Sequence, residues 1–510
     1  MSIAKAYSAQ LTGLHSEIVT IEVDISNGLH SFSIVGLGDR AVEEAKDRIS
    51  AAIKNIGYVS PKQKNQKVVI SLAPAHIRKE GASFDVAMAL AYLHAVGDIE
   101  LDGDNKLFLG ELSLEGVVRK THGVLPILCQ ASSFGFTTVF IAKDNEREAS
   151  LAQGLIIYAV SNIREIIDHI MGRTCLIPLK VHGSNRSTTE KHPSQMMDMR
   201  AIRGNETVKR ALEIAAAGAH NILMCGPPGT GKTMLARGFR SILPDLSYDH
   251  AVEVTSIHSA AGILLQGDLI STPPFRAPHH TASYPSIIGG GSYPRPGEIT
   301  LAHRGVLFLD EFPEFDREVI EALRQPLEER TITISRARGT VTFPAQCILI
   351  ASMNPCPCGL GKDRGCSCPE HIYKAYRRRL SGPIMDRIDL WVNVTKIDYG
   401  KLAAIEPDAE TSENIQRRVV AAREIQRQRF RKYSIVSCYN SELGSQDIEK
   451  CIAIEPGARE LLRGYAEKLS ISGRAFHRTM KVARSIADLA GKEYITKDCV
   501  LEALQYREKI

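Results

Sequence analysis

The sequence predicts an α/β chain in three parts: a phosphate-binding core, a smaller α/β domain before it, and a helical segment after it. Three observations carry this expectation. The short apolar strand Asn221-Ile-Leu-Met-Cys225 runs into Gly226-Pro-Pro-Gly-Thr-Gly-Lys-Thr233 and then into the helical Met234-Leu-Ala-Arg-Gly-Phe239. A second apolar run, Gly305-Val-Leu-Phe-Leu-Asp-Glu311, ends in two carboxylates. From about residue 400 onward the pattern turns helical, with an apolar-periodic stretch from Phe476 to Leu489.

Composition sets the outer bounds. At 510 residues the chain is too long for a single core, and its 44% apolar content is ordinary for a globular protein. No apolar run reaches the roughly 20 residues that span a bilayer. Met1 to Leu11 has no charged stretch followed by an apolar one, so no secretion leader is expected. Eleven scattered cysteines do not form a disulfide framework, and a cytoplasmic location is the simplest expectation. A net charge of +5 leans only weakly toward anionic partners.

Residues 1–172 alternate β-rich and helical runs. Glu17-Ile-Val-Thr-Ile-Glu-Val-Asp24 and Lys67-Val-Val-Ile-Ser-Leu72 read as strands from their β-branched content, and Ala41 to Ile56 places apolar residues at helical spacing. Residues 173–197 end in a polar, aperiodic stretch that reads as a linker. Residues 198–395 carry most of the recognisable chemistry, and residues 396–510 form the helical part.

Within the core, the spacing G-x-x-x-x-G-K-T in a strand-loop-helix context is a P-loop. Its residues Gly226, Pro227, Pro228, Gly229, Thr230 and Gly231 turn backbone N–H groups inward to cradle phosphates at a helix N-terminus. Lys232 reaches the β- and γ-phosphates of ATP, and the Thr233 hydroxyl is a Mg²⁺ ligand. A run apolar on both faces belongs in a central parallel strand, with ligands beyond its carboxyl end. Asp310 therefore joins the Mg²⁺ shell, and Glu311 is the general base toward water. A third apolar strand, Gln346-Cys-Ile-Leu-Ile-Ala-Ser-Met-Asn-Pro355, ends in Asn354. Alone this reads as an Asn-Pro turn; following a P-loop and an Asp-Glu strand it reads as sensor 1 of an AAA+ module.

Two arginines complete the expected set. Arg387 lies in Gly382-Pro-Ile-Met-Asp-Arg-Ile-Asp-Leu390, and Arg474 opens a helix in Ser472-Gly-Arg-Ala-Phe-His-Arg478. Hydrolysis of a γ-phosphate needs added positive charge, often supplied by a neighbouring subunit. A surface ion pair is the alternative role for each.

Cys356-Pro-Cys-Gly-Leu-Gly-Lys-Asp-Arg-Gly-Cys-Ser-Cys368 holds two C-x-C pairs, placing Cys356, Cys358, Cys366 and Cys368 within thirteen residues. Four soft thiolates suit a structural, tetrahedral Zn²⁺, although C-x-C is tighter than the usual finger spacing. Free thiols or a redox pair are the alternatives. Arg330-Thr-Ile-Thr-Ile-Ser-Arg-Ala-Arg-Gly-Thr-Val-Thr-Phe343 predicts a β-hairpin whose tip carries Arg336 and Arg338, a phosphate grip for DNA. Ser256 to Gly297 reads as an insertion with a glycine-rich loop. Tyr376-Arg-Arg-Arg379 and Arg427-Gln-Arg-Phe-Arg-Lys432 are further basic stretches, either DNA contacts or solvated helix faces.

With these residues together, the chain resembles the ComM/YifB branch of the magnesium-chelatase-like AAA+ family along its whole length. The most specific stretches are Ser33-Ile-Val-Gly-Leu-Gly38, the P-loop, Phe275-Arg-Ala-Pro-His-His-Thr281, Gly289-Gly-Gly291 with Arg295-Pro-Gly-Glu298, and Met353-Asn-Pro-Cys-Pro-Cys-Gly359. The resemblance implies a Lon-protease-like N-terminal domain, an AAA+ core of the helix-2-insert type and a helical C-terminal lid. It also implies a homo-hexameric DNA helicase promoting branch migration when incoming DNA recombines in natural transformation. Its partners would be single- and double-stranded DNA, branched recombination intermediates and a strand-exchange recombinase. On the same ground Arg387 matches an arginine finger and Arg474 matches sensor 2.

In Lon-like domains a serine is activated by a downstream lysine. Here Ser83 occupies the corresponding turn, Leu125 falls where the lysine belongs, and Lys120 lies nearby. A serine without a base is only a hydroxyl, so no proteolysis is expected. A metal-insertion motor and a protein-remodelling ATPase are the rival readings; the N-terminal domain and the cysteine cluster weigh against the first.

Overall fold

In the computed structural model, residues 4–102, 104–181, 197–264, 267–291, 294–336, 339–361, 365–396, 409–468 and 472–507 are described. Most of the expected linker and Arg338 lie outside them. The chain forms two compact units, residues 1–189 with 248–271, and residues 190–247 with 272–510.

The first unit is built on a seven-stranded mixed sheet. Across the sheet the strands run Ser31–Val35, Gln66–Ala73, His15–Asn27, Ala4–Thr12, Lys106–Phe108, Thr138–Ala142 and Ile156–Val160. The β-branched runs expected at 17–24 and 67–72 lie inside two of them and pair antiparallel, Ile21 opposite Leu72 and Val23 opposite Ile70. The helix expected near residues 41–56 spans Arg40–Asn55; Asp39 caps it by accepting from the Val42 N–H at 2.9 Å. Its buried face, Val42, Ala45, Ile49, Ala52 and Ile53, joins the core of helix Asp85–Val96. Asp85 is fully buried there. Its carboxylate accepts from Arg48 at 2.8 and 3.1 Å and from the Leu112 N–H at 3.2 Å.

One segment of this unit comes from the middle of the sequence. Helix Tyr248–Ala260 lies inside the range expected for the ATPase core, yet it packs on helix Val124–Ala131. Val252 and Leu269 cover the same core as Leu125 and Leu128. The buried carboxylate of Glu148 supplies the polar tie, accepting from the Leu125 N–H at 2.8 Å and from the Ser259 hydroxyl.

The second unit centres on five parallel strands, in spatial order Phe275–Arg276, Val306–Leu309, Ile348–Met353, Ile222–Cys225 and Leu390–Asn393. Val306–Leu309 and Ile348–Met353 are buried at every position, as their uninterrupted apolar runs predict. The chain-first strand sits between the fourth- and fifth-entered ones, so its carboxyl end lies where the strand order reverses, the usual ligand position in open α/β sheets. Helices Ser412–Lys432 and Gly473–Leu489 share one apolar core with this sheet. The expected hairpin forms from Thr331–Arg336 and Gly339–Pro344, with Arg336 opposite Gly339 at its tip. The basic stretch at 427–432 is divided: Phe430 is buried, and Arg429 is committed to Asp488 through two 2.7 Å bonds.

Candidate nucleotide and metal site

The pocket forms where strand Ile222–Cys225 gives way to helix Lys232–Ile242. Gly229 and Gly231 adopt φ of +75° and +87°, a backbone that side chains resist, which turns the loop around the helix N-terminus. Gly226 is required for a different reason. A Cβ there would stand 2.4 Å from the Val394 carbonyl oxygen. A cavity of about 400 Å³ results, lined by Pro228 to Met234 with Asp310, Glu311, Ser352, Met353 and Asn354.

The polar groups in this cavity are already aimed. The Lys232 ammonium donates to the carbonyls of Gly226 at 2.6 Å and Pro227 at 3.0 Å and to Asn354 Oδ1 at 3.1 Å. Burial lowers its pKa, against the opposing pull of Asp310, Cys225 and Glu311. Thr233 Oγ1 donates to Asp310 Oδ2 at 2.8 Å, so the two expected Mg²⁺ ligands from separate elements meet. A hydroxyl and a carboxylate on this spacing, beside a lysine and inward-turned N–H groups, are a donor set that fits a magnesium–nucleotide complex. Glu311 follows Asp310 with φ +51°, and this left-handed turn carries its carboxylate off the strand axis.

Two residues that sequence reasoning passed over belong to this arrangement. Ser352, fully buried, donates to Asp310 Oδ1 and accepts from the Glu311 N–H at 3.3 Å. His280 Nδ1 lies 3.3 Å from Glu311 Oε2. The motif Phe275–Thr281 flagged the region of His280, but its contact with the base is visible only in three dimensions.

The two expected arginines are not brought to the pocket. Arg387 and Arg474 both pair with Glu328, Arg474 at 3.5 Å. Neither lines the cavity that holds Lys232 and Glu311.

The four cysteines do converge. Their Sγ atoms all lie within 4.8 Å of one another, with Cys356 to Cys358 at 3.2 Å, Cys356 to Cys366 at 3.5 Å and Cys358 to Cys366 at 3.6 Å. A tetrahedral ion with Zn–S of about 2.3 Å requires S–S edges of about 3.8 Å, so the donor set fits zinc. The Leu360 backbone N–H and the neighbouring thiols hold the Cys358 thiol down to about 6, while burial pushes Cys356 up. Of the hairpin pair, Arg336 is exposed at the described tip. In the first unit Leu125 is fully buried and Lys120 exposed, while the Ser83 carbonyl accepts from Gly110 N–H at 3.1 Å and Ser8 Oγ at 3.4 Å.

Comparison with known proteins agrees with this geometry. Family models described as magnesium chelatase subunit ChlI match residues 198–402 and 21–145, and one for the ChlI C-terminal part matches residues 409–507. The competence protein ComM of Haemophilus influenzae is 40% identical over 513 residues, covering 100% of this chain and 98% of that protein. YifB of Escherichia coli, itself uncharacterised, is 38% identical across 99% of this chain and 97% of its own length. The chain belongs to the ComM/YifB family. Shorter likenesses reach a Lon protease of Finegoldia magna, 28% identical over 163 residues, and the replication licensing factor Mcm2 of Drosophila melanogaster, 25% over 204 residues. As a member of the ComM/YifB family, within the magnesium-chelatase-like AAA+ ATPases, the chain is of an ATP- and Mg²⁺-using class. Among the described residues no helix is long and apolar enough to cross a membrane.

Proposed function

We propose that this chain is a hexameric DNA translocase that couples ATP hydrolysis to branch migration during recombination of incoming DNA in natural transformation. The observation that carries the reading is full-length identity of 40% to a competence protein, on a chain whose P-loop, Asp310, Glu311 and Asn354 line one pocket. Bound Mg²⁺ would offset phosphate charge. Thr233 and Asp310 hold its side of the pocket, Lys232 meets the phosphates, Asn354 orients water, and Glu311 takes its proton.

Hexamerisation supplies what one chain leaves out. Arg387 and Arg474 stand together on Glu328, away from the cavity of their own chain. Offered to a neighbour's γ-phosphate, they serve as arginine finger and sensor 2. Arg336 and Arg338 at the hairpin grip DNA phosphates, with the insertion of the helix-2 type as a second contact and residues 396–510 as the lid. The four cysteines hold a structural Zn²⁺. Residues 1–172 form a non-proteolytic Lon-like domain, joined through 173–197 to the ATPase core at 198–395; single- and double-stranded DNA, branched intermediates and a strand-exchange recombinase are the partners, in the cytoplasm.

The test is ATP-dependent unwinding of forked and three-stranded DNA by the purified chain beside Glu311→Gln. Unwinding that disappears in the variant supports the reading. ATP hydrolysis that ignores DNA and unwinds nothing would transfer the assignment to metal insertion, the role in the name of the matching family models.

A further inference from the structure

The cysteine cluster stands directly against the nucleotide pocket. Cys356 follows Asn354 by two residues at the end of strand Ile348–Met353, and Cys356 is fully buried. The loop between the cysteine pairs then turns back onto the P-loop. Gly359 has φ +82°, and a Cβ on it would sit 2.8 Å from Pro228 Cδ, so its backbone lies flush against the phosphate-binding turn. Gly361 donates its N–H to Cys356 Sγ at 3.2 Å, and a Cβ there would meet Pro355 Cγ at 3.3 Å. Just after the cluster in sequence, helix Glu370–Arg378 presents buried Tyr376, whose hydroxyl donates to the Asn354 carbonyl at 3.2 Å.

We propose that the Cys356–Cys368 site is a metal-dependent brace for the nucleotide pocket: Zn²⁺ on the four thiolates fixes Asn354 and Pro228 in the positions that bind ATP. The inference rests on the reading of the cluster as a zinc site. Between Pro355 and Pro369 the described residues form no helix or strand. Four thiolates this close repel one another unless a cation sits among them. Ligation of the four cysteines is at the same time the ordering of the residues that carry them. The segment so ordered touches the P-loop at Gly359 and is continuous with Asn354 through Pro355, so metal occupancy is transmitted to the Lys232–Asn354 contact. An ion placed only to stabilise the surface would need neither the glycine against Pro228 nor the tyrosine on the sensor strand.

The experiment uses the full chain. Zinc is stripped with 1,10-phenanthroline, the chelator is dialysed away, Mg²⁺ is restored, and the binding of a fluorescent ATP analogue is titrated before and after Zn²⁺ is returned. Metal content and far-UV circular dichroism are recorded on each sample. We expect about one zinc per chain, affinity roughly tenfold weaker without it, as for loss of one charge-assisted hydrogen bond, and recovery on reloading. Gly359→Ala separates contact from ligation: it should keep its zinc and still bind the analogue weakly. Unchanged affinity in the stripped chain overturns the brace and leaves the zinc site standing. A chain that never takes up zinc overturns the site itself. Loss of fold throughout the chain on stripping also overturns the brace, since the device proposed is local.

Discussion

Ser352→Ala removes a hydroxyl that no exposed surface explains. The side chain is fully buried, donates to Asp310 Oδ1 and accepts from the Glu311 N–H at 3.3 Å. Glu311 N–H keeps a second acceptor, Asp310 Oδ1 at 3.1 Å, so the lost acceptor counts for little. The bond to the carboxylate matters more, at about 1.5–3 kcal/mol for a hydrogen bond to a charged group. Asp310 would retain Thr233 on its other oxygen, at 2.8 Å, and become free to rotate about that contact. If the hydroxyl holds the carboxylate in its metal-binding pose, kcat/KM for Mg-ATP should fall roughly 10- to 100-fold, the range seen for partners behind a metal ligand. The Mg²⁺ concentration needed for half-maximal hydrolysis should rise with it. Nucleotide binding without Mg²⁺ should stay unchanged, since no phosphate-binding group has moved. Steady-state hydrolysis over a Mg²⁺ series, with thermal melting as the control for fold, gives the answer. A variant within about twofold of the parent at every Mg²⁺ concentration would show that Asp310 needs no such support.

Three further outcomes are expected. His280→Ala should lower kcat about tenfold while leaving nucleotide affinity alone, because the imidazole 3.3 Å from Glu311 positions a half-exposed base; recovery in His280→Gln distinguishes positioning from packing. Gly226→Ala drives a Cβ to 2.4 Å from the Val394 carbonyl, so calorimetric stability should drop by about 1–3 kcal/mol along with ATP binding, and a fully active variant would contradict the contact. Burial, against the pull of Arg48, raises Asp85 from 3.8 to about 6. The folded state therefore holds this proton more tightly than the unfolded chain: the stability it contributes is full below about pH 4 and is lost as pH rises through about 6, on the order of 3 kcal/mol in all. Asp85→Asn should flatten that part of the melting profile, and superimposable parent and variant profiles would refute it.

The phosphate-binding site was legible because its residues act locally. Glycines at 229 and 231 dictate a left-handed backbone, and an apolar run such as Val306–Leu309 can only be a central strand with its carboxylates at the end. The hairpin was legible from alternation, and the cysteine cluster from spacing alone. What escaped depends on lateral register or on distant partners. Ser352 reads as an ordinary strand residue until Ile348–Met353 is laid beside Val306–Leu309, which brings it to Asp310. Arg429 reads as one more cation in a basic stretch, yet buried Asp488 claims it through two bonds. That Glu328 collects both Arg387 and Arg474 follows from no local pattern, because three separate elements must first assemble. The helical period of residues 248–260 shows a face to be buried without showing which core takes it.

That helix makes the polar stretch after residue 172 a poor place to divide the protein. The chain enters the first unit again at Tyr248 and leaves it after Ser271, so the two units are sewn together at three crossings. A cut between residues 181 and 197 severs one stitch and leaves two, and the halves should still migrate as one species under native conditions. A fragment that begins at residue 198 carries away Ala251, Val254 and Ile257 with no core to receive them. Such a fragment is a truncated protein with an open seam, and its insolubility would say nothing about the ATPase.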